Sequence, residues 1–317
     1  MLIRFGYVAI ALNIIDGSPN KTVTYTNLIK NSNHADRLQK LRKITKANLD
    51  CLLRVLKYNV LNQVHVFRIT SKLIPLATHP VTADWDYITE FKAEFSAIGE
   101  YIRQNNLRVS AHPDQFTLIN SPHSHVLAAS IDTLSYHAKI FEAMQLDETA
   151  KLVLHIGGAY NDKTAALNRF IENYQHLPST IKNRIVIEND DKIFTASDVL
   201  QLSEILHAPM ILDVHHHTCK NTGESIEDLW PRISKTWNSI TPKIHYSSPR
   251  DDKNIRAHAD FINPQEFYDF LQKIKNFNLD FDVMIEAKQK DKAMFQLIDN
   301  LKNRFKINMI DDTTIEL

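Results

Sequence analysis

Along the chain, short runs of β-branched and aromatic residues alternate with longer stretches whose apolar positions recur every three or four residues. The short runs predict strands at Ile3–Ile10, Val64–Thr70, Leu107–His112, Lys151–Ile156, Arg184–Glu188, Met210–Val214, Lys243–Tyr246 and Phe281–Glu286. The longer stretches predict helices at Ala47–Tyr58, Tyr87–Gln104, Val126–Gln145, Lys163–Gln175, Ala196–Leu206, Pro264–Phe277 and Lys292–Phe305. Strands that are apolar at successive positions are buried on both faces, and crossover helices between them imply a parallel sheet. Eight such units in 317 residues fit a (β/α)8 barrel of the TIM type, with a doubly wound open sheet as the alternative. No linker, repeat or low-complexity tract divides the chain, so residues 1–317 are expected to form one domain. Ala11–Leu38 reads as a long first loop, turning at Asp16-Gly17-Ser18-Pro19 and covering one barrel mouth. The KLRKITK run at Lys40–Lys46 falls on a helical segment and reads as a solvated face.

Composition narrows the chemistry. Hydrophobic residues make up 44% and charged residues 23%, enough apolar material for a large core. Lys+Arg and Asp+Glu both number 37, so any nucleic-acid contact must come from a local basic patch. Cys51 and Cys219 stand far apart with no CxxC pair, which argues against a zinc finger or a disulfide framework and fits a reducing cytoplasm. The apolar N-terminus carries Arg4 and is too short to span a bilayer, so a cytoplasmic protein without a membrane partner is expected. Neither GxGxxG nor GxxxxGK[ST] occurs, so no nucleotide cofactor is expected; fifteen histidines against six glycines point instead to metal chemistry.

Metal-capable side chains stand at the ends of consecutive predicted strands: His112, His155, Glu188, Asp213 followed by His215-His216-His217, His245 and Glu286. In a barrel these ends converge on one face. An isolated His or Glu at a strand end is usually structural, but six in register describe a site. Mixed imidazole and carboxylate ligands suit Zn²⁺, Mn²⁺ or Fe²⁺ better than Ca²⁺ or Mg²⁺. So many ligands would hold more than one ion, and two or three ions clamp a phosphate, which suggests phosphodiester hydrolysis. His34, His65, His79, His176 and His207 lie outside the pattern and read as structural or solvated; His123, His125 and His137 follow the third strand, where a rim contact is open. Periodicity does not say which member of the triple-His run faces the site.

Phrases spread over residues 3 to 295 resemble the UV damage endonucleases: FGYV at 5–8, LATHP at 76–80, AHPDQF at 111–116, HIGGAY at 155–160, IENDDK at 187–192, HYSSP at 245–249, AHAD at 257–260 and MIEAKQKDKA at 284–293. The resemblance implies a TIM-type barrel related to endonuclease IV that nicks damaged double-stranded DNA directly 5′ of pyrimidine dimers, 6–4 photoproducts and some abasic sites, leaving a 3′-hydroxyl and a 5′-phosphate. It also implies up to three divalent ions, usually manganese, with Zn²⁺, Co²⁺ or Mg²⁺ as substitutes. His112, His155 and Glu188 resemble the ligands of one ion; Glu188, Asp213, His245 and Glu286 those of another; His216 and His258 those of a third. Arg256 stands where endonuclease IV has an Asp, so the third ion would lack a carboxylate, and a carbamylated Lys243 would supply one. The alternative for Lys243 is a cation that neutralises phosphate. Glu188, Lys243 and Glu286 are thus the expected catalytic residues. Gln115 and Phe116 resemble the pair inserted into the duplex at the lesion, with Phe replacing the Tyr of some members. Tyr7 resembles a further lesion contact, next to a wall where Ala11 replaces an Asn. Arg250, Lys253 and Arg256, with Lys72 and Lys288, are candidate backbone contacts, and a monomer is expected.

Two other functions share parts of this pattern. A sugar isomerase or epimerase on the same fold would use Glu188, Asp213, His245 and Glu286 but leave His112, His155, His216, His258 and Gln115-Phe116 without a task. A non-catalytic damage sensor would have no need of clustered carboxylates that repel phosphate.

Overall fold

The structure, a computed structural model, describes residues 1–30 and 33–317; Asn31 and Ser32, inside the expected first loop, lie outside the described residues. Eight strands form a closed parallel barrel in chain order: β1 (Leu2–Val8), β2 (Val66–Ile69), β3 (Arg108–Ala111), β4 (Lys151–His155), β5 (Ile185–Glu188), β6 (Met210–Asp213), β7 (Lys243–Tyr246) and β8 (Phe281–Ile285). β1 closes the ring by pairing with β8 on one edge and β2 on the other. Gly6 permits that closure, since a Cβ there would overlap the Val66 carbonyl oxygen. The (β/α)8 architecture expected from the sequence is therefore the one observed, and the open sheet is not.

The strands occupy nearly the predicted positions because runs such as IVIE in β5 and MILD in β6 are buried at every residue. The helices deviate more. The first long helix runs over His34–Leu61, far ahead of the expected Ala47. Asn33 caps it by accepting from Asp36 N, and its first turns are too charged to show an apolar period. In that stretch Arg42 pairs with Glu90 and Lys46 with Asp50, while Leu41 and Thr45 are buried, so the KLRKITK run is only partly a solvated face. The expected helix Tyr87–Gln104 is broken at Phe91 into Tyr87–Glu90 and Lys92–Gln104. Among the described residues four α-helices were not predicted: two short turns, Tyr25–Leu28 inside the expected first loop and Ser179–Lys182 ahead of β5, and two longer ones. Val214–Cys219 follows β6 without a loop, and Ile226–Thr236 carries Pro231 in its interior, a residue that argues against a helix in any sequence reading. A C-terminal hairpin, β9 (Asn308–Asp311) and β10 (Thr314–Glu316), was also unforeseen. It pairs antiparallel with Leu2–Arg4, covering the part of the β1 edge that lies ahead of β2. Among the described residues no helix is long and apolar enough to cross a membrane.

The barrel interior is layered by the two-residue period of the strands. One step below His155, Glu188 and Asp213 lie Val153, Val186 and Ile211, which pack with Trp237 as an apolar cluster separate from the main core. One step below His112 and His245 lie Ser110 and Lys243, whose Nζ is 3.3 Å from Ser110 Oγ. Lower still, the fully buried Asp282 carboxylate accepts from Arg4 Nε at 2.7 Å and from Arg108 Nη1 at 2.5 Å. The site thus rests on a floor that is half apolar and half charged.

Candidate metal centre and lesion-recognition loop

His112, His155, Glu188, Asp213, His245 and Glu286 stand within a residue of the C-terminal end of their strands, whereas His216 lies on the helix Val214–Cys219 and His258 on the loop after β7. Glu188, 1% exposed, is the hub. Its Oε2 lies 3.0 Å from His112 Nε2 and 3.4 Å from His155 Nε2, and its Oε1 lies 2.5 Å from His245 Nδ1. Two groups have all their ligand atoms within 4.8 Å of one another: His112, His155 and Glu188; and Glu188, Asp213, His245 and Glu286. Glu188 belongs to both.

Local structure sets the ligand atoms. Asp213 is the N-cap of the helix Val214–Cys219: its Oδ1 accepts from His216 N at 2.7 Å, and its buried Oδ2 has no hydrogen-bond partner among the described residues. Asn189 holds this junction, donating to Asp213 O at 3.0 Å and accepting from Asp213 N at 2.9 Å. His112 Nδ1 lies 2.8 Å from Pro113 O, so donation there leaves the Nε2 lone pair facing Glu188. His216 Nδ1 lies 2.9 Å from Asn189 O and 3.5 Å from Asp213 Oδ2. His216 turns toward the centre, whereas His217 lies toward Glu224 and His215 packs beside His258 with ring centroids 5.3 Å apart. The His216 and His258 rings are 6.5 Å apart, and His258 Nδ1 is buried without a partner among the described residues. These two join neither the three-residue nor the four-residue group.

Charge at the centre is strongly biased. Burial alone would raise the Glu188 carboxyl, but the imidazoles of His245, His155 and His112 hold it well below the usual carboxylate range. Burial pushes Asp213 well above that range, and the charges of Glu188 and Glu286 add to the effect. For His216 burial is outweighed by Asp213, Glu188 and Glu286, which lift it to about 9. His245 is lowered to about 4 by burial and by Arg68. Burial, with Arg108 and Arg68 nearby, drives Lys243 well below the usual amine range.

Arg68 was missed by the sequence reading. Its Nη2 lies 2.5 Å from Glu286 Oε1 and 2.6 Å from His245 Nε2, so a buried guanidinium shares the centre with the predicted ligands. The available signal was an Arg inside the otherwise apolar run VFRI of β2.

The expected DNA contacts fall into two groups. Gln115 and Phe116 stand in water on the loop after β3, with Phe116 72% exposed. Arg250, Lys253 and Arg256 are exposed on the loop after β7; Arg250 pairs with Asp251 at 3.2 Å and Arg256 with Asp191 at 3.5 Å. Tyr7 requires a correction. It is fully buried, its hydroxyl donates to Asn59 Oδ1 at 2.6 Å, and its ring packs edge-on against Phe67. A side chain with no exposed surface offers a duplex nothing to touch, so Tyr7 serves packing. Ala11 beside it is buried too.

A closed parallel barrel whose C-terminal mouth gathers imidazoles and carboxylates from β3 to β8 defines a TIM-barrel protein with a candidate metal centre. The family described as UV-endonuclease UvdE matches residues 3–317. The chain belongs to that family. It is 42% identical over 318 residues to the UV DNA damage endonuclease of Bacillus mycoides (strain KBAB4), covering 100% of both chains. It is also 42% identical over 303 residues to that of Bacillus cereus (strain B4264), covering 95% of each. Among solved structures, that of SacUVDE is similar with a TM-score of 0.86 and 33% identity over 96% of this chain and 100% of that one.

Proposed function

We propose that the chain is a metal-dependent DNA repair endonuclease acting on double-stranded DNA that carries UV photoproducts. Its substrates are cyclobutane pyrimidine dimers, 6–4 photoproducts and abasic sites, and it works as a monomer. It hydrolyses the phosphodiester immediately 5′ of the lesion: a water oxygen bonds to phosphorus, the bond from phosphorus to O3′ breaks, and the 3′ oxygen takes up a proton.

The observation that carries this reading is Glu188, shared between a His-rich group and a carboxylate-rich group. The donor set fits divalent cations. Among the described residues Asp213 Oδ2, His155 Nδ1 and His258 Nδ1 are buried without hydrogen-bond partners, and three acidic side chains share one low-dielectric pocket. His112, His155 and Glu188 would hold one ion, and Glu188, Asp213, His245 and Glu286 another. His216 and His258 would hold a third, with manganese as the favoured metal. When bound, such ions supply Lewis acidity toward the phosphate oxygens and lower the pKa of a bound water. No side-chain nucleophile is needed.

Lys243 fits a carbamate. A depressed amine pKa keeps nitrogen neutral and able to add CO2, and the neighbouring Arg68 Nε and Arg108 Nη2 are buried donors without partners among the described residues. Gln115 and Phe116 fit the lesion probe, because a ring held in water on an anchored loop is free to stack on bases. Arg250, Lys253 and Arg256 contact the phosphate backbone, Arg256 by releasing Asp191. Family membership and the histidines outside the four-residue group favour this reading over a sugar isomerase.

The test is nicking of a labelled duplex with one defined thymine dimer, in Mn²⁺ and in EDTA. The expected result is a single cut directly 5′ of the dimer, lost with chelator and lost in Glu188→Gln while damaged-duplex binding persists. Chelator-resistant cutting, or cutting by Glu188→Gln, overturns the metal assignment.

A further inference from the structure

The loop after β4 carries backbone strain that the metal centre does not explain. His155 ends the strand, yet within six residues Gly157 has φ +114°, Tyr160 φ 50° and Asn161 φ 66°. Glycine adopts such angles freely and Asn tolerates them, but a bulky tyrosine there is an outlier of the kind found at functional sites. The conformation is held firmly. Asn120 Nδ2 donates to Gly158 O at 2.8 Å, tying the loop to the segment that follows Phe116. A Cβ at Gly157 would collide with Asn120 Oδ1, so the two loops interlock.

The tyrosine ring is equally constrained. One face lies close enough to Gly158 that a Cβ there would stand 3.2 Å from the ring. The Arg169 guanidinium lies 5.4 Å from the ring centroid, and Arg169 Nε donates to Asn120 O at 2.9 Å. Arg169 therefore binds the Phe116-side loop and supports Tyr160 together. Tyr160 is 37% exposed, and its hydroxyl has no hydrogen-bond partner among the described residues. A supported, partly exposed ring on a strained loop, with an unused O–H donor, is arranged for a ligand, and the nearby guanidinium makes that ligand an anion.

We propose that Tyr160 is a DNA-backbone contact: its hydroxyl donates to a phosphate oxygen, with the nearby Arg169 supplying positive potential. With Phe116 it forms two aromatic contacts on one interlocked pair of loops, Phe116 entering the duplex and Tyr160 holding the strand beside it. The inference rests on the nuclease reading above.

The experiment compares wild type, Tyr160→Phe and Tyr160→Gly, all carrying Glu188→Gln to prevent cutting. Binding to a thymine-dimer duplex is read by fluorescence anisotropy and stability by thermal melting. Tyr160→Phe removes only the hydroxyl and is expected to weaken binding roughly tenfold, the factor for a hydrogen bond to a charged acceptor, with Tm unchanged. Tyr160→Gly relieves the left-handed strain, so Tm is expected to stay level or rise while binding falls at least as far. Unchanged affinity in Tyr160→Phe, or a Tm that falls along with binding in Tyr160→Gly, overturns the proposal. If the wild-type background itself does not bind the dimer duplex, the nuclease reading fails first, which separates the two failures.

Discussion

Removing the Phe116 ring should damage recognition while sparing the fold. The ring is 72% exposed, yet its loop is tightly held: Phe116 N donates to Asp114 Oδ1 at 2.9 Å, Leu118 N to Ser130 Oγ at 2.8 Å, and Thr117 and Ile119, just beyond the ring, are buried. Truncating a side chain with so little buried surface should change folding stability by no more than about 0.5 kcal/mol. Stacking on a base contributes about 1–3 kcal/mol, so Phe116→Ala should lose roughly 5- to 150-fold in affinity for a damaged duplex. The loss should be selective, because an intact duplex keeps its bases stacked and gives the ring no partner. Fluorescence anisotropy with matched thymine-dimer and undamaged duplexes, in a Glu188→Gln background, measures both quantities. Equal losses on the two duplexes would make Phe116 a general contact. Unchanged affinity for the damaged duplex would refute the probe role outright.

Three further expectations come from buried titratable groups. Asp282→Asn should cost about 3–5 kcal/mol, seen as a lower urea midpoint, because Arg4 and the buried Arg108 lose their shared carboxylate; a loss under about 1 kcal/mol would refute the charged floor as a structural unit. His137 is fully buried and lowered to about 3 by burial and by His112, so the unfolded chain binds its proton first and stability falls as pH drops from about 6.5 toward 3. His137→Phe should flatten that acid slope by up to about 1.4 kcal/mol per pH unit relative to wild type, and identical slopes in chemical denaturation from pH 7 to 4 would count against it. Lys243 in ¹³C-bicarbonate should give a carbamate carbon signal by NMR that is absent in Lys243→Ala; no signal in the wild type would refute the carbamate.

Much of the protein could be read from the sequence because its strands are buried on both faces. Val153/His155, Val186/Glu188 and Ile211/Asp213 show how: the inward step that fills the barrel with an apolar side chain delivers, two residues later, a polar one to the mouth. Apolar runs ending in metal-capable residues, with helical stretches between them, therefore made both the (β/α)8 barrel and the candidate ligands legible as local features. The triple-His run was legible only as a choice, since the side chains of a helix leave at about 100° steps and only the packed helix shows that His216 turns toward Asp213.

Tertiary structure decided what local pattern does not encode. Arg68 enters the centre through contacts with Glu286 and His245, some 180 to 220 residues away in the chain, and an Arg in a strand has no local signature for that. Tyr7 reads like its neighbours in a strand, but the direction of its ring depends on the helix His34–Leu61, whose Asn59 takes its hydroxyl. The strain at Tyr160 is a backbone angle held by Asn120 and Arg169 from outside its own loop. Sequence by itself determined where the strands lie and which metal-capable residues stand at their ends. Only closure of the barrel decided which of them meet, because the meeting of distant side chains depends on how the chain packs and not on their spacing along it.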